Sequence, residues 1–459
     1  MAGGVRPSVP PQAGTGARPA SEVPGPRSPR VLQSWLGVMR PIDTRLLMRK
    51  RHGAVFRTRD AIAGEMFHIA DRELVEEIFR WKPSEYRVGE PREVMASVTG
   101  HSSILLLDGA PHMRMRKLML PPFHGEAIAQ YADLIEQIAN REIDGWRRGD
   151  VVRTRSLAQA VTLEVIIRAV FGITDPGRIA ELRRLLPRMS APSPFLLLFQ
   201  KDLGPRSPWG RFVRVRERVD ALLYEEVDRR RHGPDTEPPG DILSLLLAAR
   251  DEKGNPLTDA ELRDELITIL LAGHETTATS IGWAFERLLR TPAALERLTA
   301  EVTAGESSDY LEAVIKETLR VRPVVTEIFR SPTTRVQLDG YVFESGAQLA
   351  VSIMLVQQDP ALYPPDPQAF RPERFLDGAP EPYAWIPFGG GVRRCLGAAF
   401  AQLEMKVVIK AILSRVRLRA RRASSEKARF RGATVLPSRG GEAVVEEVAT
   451  PPTSARSLA

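Results

Sequence analysis

Apolar and polar residues alternate along "AVFRTRD" (54–60) and again along "GEMFHIA" (64–70), which predicts a short hairpin. The period then changes. Leu74, Val75, Ile78 and Phe79 recur at helical spacing behind Asp71, a good helix cap, so a helix is expected to start there. From Pro111 to about residue 420 the apolar positions mostly keep a helical period, punctuated by loops at "GPDTEPPGD" and "RDEKGNP". Strand-like alternation returns over 335–352. Residues 359–391 then carry eight prolines and no helical period, and irregular chain of that length is usually functional or tightly packed. A final helix begins near Cys395 and runs through "AAFAQLEMKVVIKAILSRV". The pattern predicts one large, mainly α domain with a smaller β region over 31–450. A disordered Pro-, Gly- and Arg-rich tail (1–30) precedes it and a short C-terminal tail (451–459) follows.

One helix stands out. Thr258 and Glu261 have the spacing of a capping box, and Thr291 before Pro292 marks a stop. About thirty helical residues between them span roughly 45–50 Å, enough to cross a whole domain. Its middle, "AGHETT", places Gly273, His274, Glu275, Thr276 and Thr277 between two apolar stretches. Such a patch is either a kinked but satisfied stretch of core helix or a place where a ligand, water chain or backbone comes close. A zinc site of the H-E-x-x-H kind is excluded, because Ala278 stands where the second histidine is needed.

Composition narrows the function classes. Hydrophobic residues at 43% and charged residues at 27% are ordinary for a globular enzyme-sized chain. The net charge of +8 raises the question of nucleic acid, but 56 of the 65 bases are Arg and no basic run is interleaved with aromatics, so no nucleic-acid partner is expected. No run approaches the roughly 18 apolar residues of a membrane span, and the N-terminus lacks the apolar core of a signal peptide. A cytoplasmic protein without a membrane anchor is expected. Glu317 and Arg320, three apart on a helix with Leu311, Val314, Ile315 and Leu319, suggest a buried pair, with Arg374 of "RPERF" as a third member.

The single cysteine is the sharpest chemical signal. A disulfide within the chain is impossible, and "FGGGVRRCLG" sets Cys395 behind three glycines and ahead of Gly397. The open readings are an inert buried thiol, a nucleophile or a metal ligand. Glycine amides and the start of the following helix can stabilise a thiolate, and Arg393 supplies a cation for a carboxylate on whatever is bound. No Cys–His signature accompanies the thiol as a nucleophile would require.

These motifs together resemble the cytochrome P-450 family. "FGGGVRRCLG" resembles its haem-binding loop, Phe-x-x-Gly-x-[His/Arg]-x-Cys-x-Gly. "AGHETT" resembles its distal-helix motif, and "ETLR" and "PERF" match its Glu-x-x-Arg and meander motifs in the family's order. "HMRMRKLMLPPFHGE" is similar to the helix that carries haem-propionate partners in many bacterial members. The resemblance implies a haem b (iron protoporphyrin IX) enclosed between the long distal helix and the proximal Cys loop. It makes Cys395 the iron ligand, with Phe388 beside the sulfur and Gly391 and Gly397 letting the loop approach. His112, Arg116, Arg330 and Arg393 would meet the propionates. Glu275 and Thr276 would deliver protons during oxygen activation, the acid relaying from solvent and the alcohol holding water. Glu317, Arg320 and Arg374 would be structural.

The function so implied is a haem-thiolate monooxygenase of the soluble bacterial type, a monomer. It would use O2 and two external electrons to hydroxylate or epoxidise a lipophilic small molecule such as a fatty acid, terpenoid, steroid or polyketide. Electrons would come from a ferredoxin or flavodoxin-like donor with its reductase, steered by Arg114, Lys117, Arg394, Lys406 and Lys410 on the cysteine side. The substrate would meet residues 85–106, 188–212, Leu266 to Thr276, Val324 to Ile328, Val435 and Leu436. The alternatives are a haem-thiolate enzyme of another reaction (isomerisation, dehydration, peroxygenation) and a non-catalytic haem-binding protein.

Overall fold

In the computed structural model the described residues are 16–449, less 62–63, 89–91, 124, 191–199, 202, 233–239, 377, 379 and 432. Strands and helices are numbered below in chain order. The hairpin forms as the alternation predicts: β1 (Val55–Asp60) pairs antiparallel with β2 (Gly64–Ile69). Asp71 then accepts from the backbone N–H groups of Glu73 and Leu74 at 2.9 and 3.0 Å, capping α2 (Arg72–Phe79). β2 continues into a five-stranded sheet through β5 (Leu349–Ser352), β4 (Glu327–Pro332) and the short β3 (Tyr86–Arg87). The rest of the 335–352 stretch is a separate hairpin. Its turn, Asp339–Gly340, has both residues at positive φ (50° and 72°), the geometry that matches the twist of paired strands.

The segment expected as a tail is partly built into this sheet region. Arg18–Pro19 pairs with Tyr341–Val342, Val23 is buried in the apolar cluster under the sheet, and Arg57 N–H donates to Pro24 O at 2.8 Å. The low hydropathy of residues 1–30 hides this, because the anchoring is by backbone pairing. The helix α1 (Arg30–Met39) follows directly. Residues 1–15 and 450–459 lie outside the described residues.

The helical region is organised around α5 (Asp259–Leu288), 30 residues long. The capping box is present: Thr258 Oγ1 accepts from Glu261 N–H at 3.2 Å and Glu261 accepts from Thr258 N–H at 2.8 Å. Twenty of its residues are buried, so most of the helix is enclosed, with an accessible face left in the middle around Ala272. It lies between α4 (Thr154–Val165) and α7 (Ala398–Arg415). Gly282 permits the close approach to α4, since a Cβ there would lie 2.8 Å from Arg155 Cβ. The helix is unbroken through Gly273, and Thr276 bonds back one turn to Ala272 O at 2.5 Å.

α6 (Asp309–Val321) carries the predicted pair. Glu317 and Arg320 have no exposed side-chain surface and are joined by two bonds of 2.6 and 2.8 Å. Arg320 also donates to the carbonyls of Gln357, Pro367 and Ala369 at 2.8, 2.7 and 3.1 Å, and Arg371 N–H donates to Glu317 Oε1 at 2.8 Å. Arg374 is brought to 3.8 Å of Glu317, but its hydrogen bonds go to Pro364 O and Asp366 O, both at 2.6 Å. Burial pushes the Glu317 carboxyl up, against the pull of Arg320.

Removing one member of this buried pair is expected to cost about 3–5 kcal/mol, since the other charge is left without compensation. Arg320→Ala should therefore lower the urea midpoint sharply with little change in slope, and Arg374→Ala should cost far less.

Candidate active site

The cysteine loop is shaped first by packing inside the protein. Cys395 N–H donates to Phe388 O at 2.9 Å, and Gly389 N–H donates to Ile386 O at 2.9 Å, which folds the segment back on itself. Gly389 and Gly391 have φ of 67° and 64°, a region other residues rarely enter. A Cβ at Gly390 would come within 2.2 Å of the Phe79 ring, and one at Gly391 within 2.3 Å of Phe79 O. Gly391 is thus required by α2, as well as by the close approach of the loop that the family resemblance implies. Gly397 differs: nothing lies within 4 Å of where its Cβ would stand. Phe388 sits edge-on to Trp385, with ring centroids 6.0 Å apart, and Trp385 Nε1 donates to Lys316 O on α6 at 3.1 Å.

The sulfur has a mixed environment. Cys395 is exposed, yet enough protein surrounds it that burial dominates and pushes its thiol up. The Gly397 N–H and the cations Arg116 and Arg394 pull the other way and favour the thiolate.

Around it the fold collects positive charge. His112 and Arg116 lie one turn apart on α3 (Gly109–Met119), Arg330 on β4, and Arg393 two residues before the cysteine. His112 is buried, and its pKa is lowered to about 4 by burial and then by Arg393, Arg116 and Arg330. Arg330 is lowered to about 10, chiefly by burial, with Arg393 adding repulsion. Its guanidinium lies 4.9 Å from the centroid of Tyr86, and that of Arg393 lies 6.0 Å from the same ring. Arg393 is held by Asp108 Oδ1 at 2.7 Å and by Leu107 O. Four bases converge here, and Asp108 is the one carboxylate ion-paired with any of them among the described residues. With His112 neutral and Arg393 paired with Asp108, Arg116 and Arg330 still hold half-buried and buried positive charge, which fits a ligand that brings anionic groups. A thiol stabilised by an amide, an open glycine beside it and this cationic rim together fit a haem with two propionates.

The polar patch of α5 faces two ways. Ala272 is exposed in mid-helix, with Ile269 and Thr276 partly accessible on the same face. Glu275 turns instead to α4, where Arg155 and Gln159 hold its carboxylate at 2.5 and 2.8 Å. His274 is buried against Thr162 Oγ1 at 2.9 Å, and burial is the main reason its pKa is lowered to about 4. Thr277 bonds to Glu404 of α7, a buried acid pushed up to about 8 by desolvation, whose Oε1 has no hydrogen-bond partner among the described residues.

Sequence reasoning missed Arg155, Gln159, Asp108 and Tyr86, which carry no local signal. Glu404 did carry one, as a lone acid in an apolar helix. Among the expected partner-steering bases, Arg114 is paired with Asp251 and Glu261 (2.8 and 2.6 Å), Lys117 with Glu252 (2.5 Å) and Lys406 with Glu312 (3.0 Å). Arg394 and Lys410 are exposed without such pairs among the described residues. Val324 and Val435, expected to line a pocket, are core residues packed on Trp283, whose Nε1 donates to Val435 O at 2.9 Å. Leu196 to Leu198 lie outside the described residues.

Comparison with known proteins identifies the family. The family model described as Cytochrome P450 matches residues 28–444. A Mycobacterium tuberculosis chain named as cytochrome P450 135B1 is 40% identical over 424 residues, which cover 91% of this chain and 90% of that one. Another from that organism, named as cytochrome P450 138, is 35% identical over 433 residues, covering 92% and 96%. Among solved structures, a cyanobacterial CYP120A1 with retinoic acid bound gives a TM-score of 0.76 at 24% identity, covering 88% of this chain and 94% of that one. A second, CYP102L1, gives 0.78 at 24% identity, covering 94% and 99%. The chain belongs to the cytochrome P450 family, with its mainly α fold and smaller sheet region. It is therefore a haem b monooxygenase, an oxidoreductase of the haem-thiolate kind.

Acid stability carries a signature of His274. Its folded pKa lies near 4 against an ordinary 6.5, so above pH 6.5 both folded and unfolded states are neutral and the residue adds no slope. Below 6.5 the unfolded chain takes up the proton first, and stability is expected to fall by about 3 kcal/mol between pH 6.5 and 4. His274→Gln should flatten that part of a stability-versus-pH curve, whatever its effect at neutral pH.

Proposed function

We propose that this protein inserts one oxygen atom from O2 into a lipophilic small molecule, using two electrons from a separate ferredoxin or flavodoxin-like donor with its reductase. The observation that carries the reading is Cys395, whose sulfur accepts from Gly397 N–H and lies beside a cluster of four buried or half-buried bases. Haem b, when bound, supplies the activation of dioxygen. Cys395 is the iron ligand as the thiolate, which Gly397 N–H, Arg116 and Arg394 favour over the thiol. His112, Arg116, Arg330 and Arg393 bind the propionates, and Asp108 fixes Arg393 for that task. Phe388 shields the sulfur, and Gly397 leaves room for close approach.

Proton delivery falls to α5. Thr276 donates its hydroxyl hydrogen to Ala272 O, so its oxygen is left to accept from water on the accessible face. Glu275 lies on the α4 side and must part from Arg155 to bring a proton from solvent to that face. A carrier of haem without turnover has no use for such a pair.

The substrate class is a fatty acid, terpenoid, steroid or polyketide. Support comes from Ile269 and Ala272 on the accessible face of α5, and from Ile328, whose side chain lies 3.4 Å from where a Cβ on Gly389 would stand. Docking of the electron donor rests on Arg394 and Lys410, since the other three bases are neutralised locally.

The test is a carbon monoxide spectrum of the dithionite-reduced, haem-loaded protein and of Cys395→Ser. A strongly red-shifted Soret band in the wild type, lost in the variant, is expected; a folded protein that takes no haem overturns the reading. Product formation should then require both O2 and reduced ferredoxin, whereas product without either indicates an isomerase or dehydratase. Thr276→Val and Glu275→Gln are each expected to cut product formation by about a hundredfold or more while leaving the carbon monoxide band in place.

A further inference from the structure

The amphipathic helix α1 is mounted with its polar side inward. Gln33 Oε1 accepts from Arg59 N–H at 2.9 Å and Gln33 Nε2 donates to Ser28 O at 2.7 Å, while Ser34 Oγ accepts from Ala61 N–H at 2.8 Å. These bonds dock the helix on β1 and leave Val31, Leu32, Trp35, Val38 and Met39 on one outward stripe. The exposure is large: 72% for Val31, 57% for Trp35 and 55% for Met39. An isolated exposed leucine needs no explanation, but a continuous stripe with a tryptophan does.

A second segment, some four hundred residues away in sequence, lies beside the helix. The hairpin of β6 (Ala428–Arg431) and β7 (Thr434–Pro437) packs against α1 and presents Phe430, 40% exposed. Lys427, Arg429 and Arg431 flank that ring and are exposed, as are Arg27, Arg30 and Arg40 around the helix. None of these six bases is in an ion pair among the described residues. No acidic residue occurs between Glu22 and Asp43, or between Glu426 and Glu442.

We propose that α1 and the β6–β7 hairpin form a peripheral docking surface for an anionic lipid bilayer. The side chains Val31, Leu32, Trp35, Val38, Met39 and Phe430 enter the headgroup boundary while the bases meet lipid phosphates. An apolar stripe with an aromatic and a rim of unpaired bases is the composition of helices that lie in that interface. A protein partner would find the same apolar stripe, but six exposed bases on two segments that themselves carry no acid favour a negative surface. Attachment is in the plane, because no helix among the described residues is long and apolar enough to cross a membrane.

The test uses the haem-loaded full chain with two vesicle compositions, pure phosphatidylcholine and a mixture rich in phosphatidylglycerol, read by co-sedimentation. Binding to the anionic vesicles is expected to be at least about a hundredfold tighter and to weaken as salt is raised. Trp35→Glu with Met39→Glu, and separately Lys427→Glu with Arg429→Glu, should each reduce it at least about tenfold. The carbon monoxide spectrum of each variant reports that the fold is intact, so a misfolded variant is recognised and its site retested with Trp35→Ser or Arg429→Gln. Failure to bind either vesicle, or binding that both intact variants retain, overturns the proposal. So does concentration-dependent self-association that Trp35→Glu abolishes in the absence of vesicle binding, which would assign the stripe to a second copy of the chain.

Discussion

Arg320 has no contact with solvent and reaches both oxygens of Glu317 and three carbonyls at once, those of Gln357, Pro367 and Ala369. The last two belong to the proline-rich stretch, which makes no helix or sheet ladder of its own over most of its length. Its carbonyls therefore need donors, and a rigid guanidinium fork inside the protein supplies them. The stretch leads straight into the cysteine loop. Without this anchor the loop would keep its glycines but lose its position.

The loop is then positioned a second time, by Phe79 of α2. Gly390 and Gly391 are needed because α2 comes so close, and this contact ties the sheet region to the thiol. From the other side Arg393 is held by Asp108, at the start of α3. The cysteine is thus fixed from α6, α2 and α3. Pre-organisation of this kind matters for a metal ligand, since the sulfur must be in place before the cofactor arrives.

On α5 the same economy appears with opposite results for neighbouring residues. Thr276 stays on the accessible face, Glu275 is drawn to Arg155 on α4, His274 is sealed against Thr162, and Thr277 meets Glu404 on α7. Four successive residues of a helix point in four directions, so a polar run read in sequence becomes four different environments.

Much was legible in the chain itself. The hairpin, the capped helix at Asp71, the capping box of the long helix and the Glu317–Arg320 pair all follow from short-range rules, because each is decided within about four residues. The cysteine loop was legible for the same reason. Tertiary structure alone decided that Arg155 holds Glu275, that Asp108 holds Arg393, and that Gly391 answers to Phe79, since those partners lie far away in sequence. It also turned the polar side of α1 inward and set Phe430 beside it. Local periodicity can show that a helix has two faces; which one meets the protein is settled only by the backbone donors it finds there.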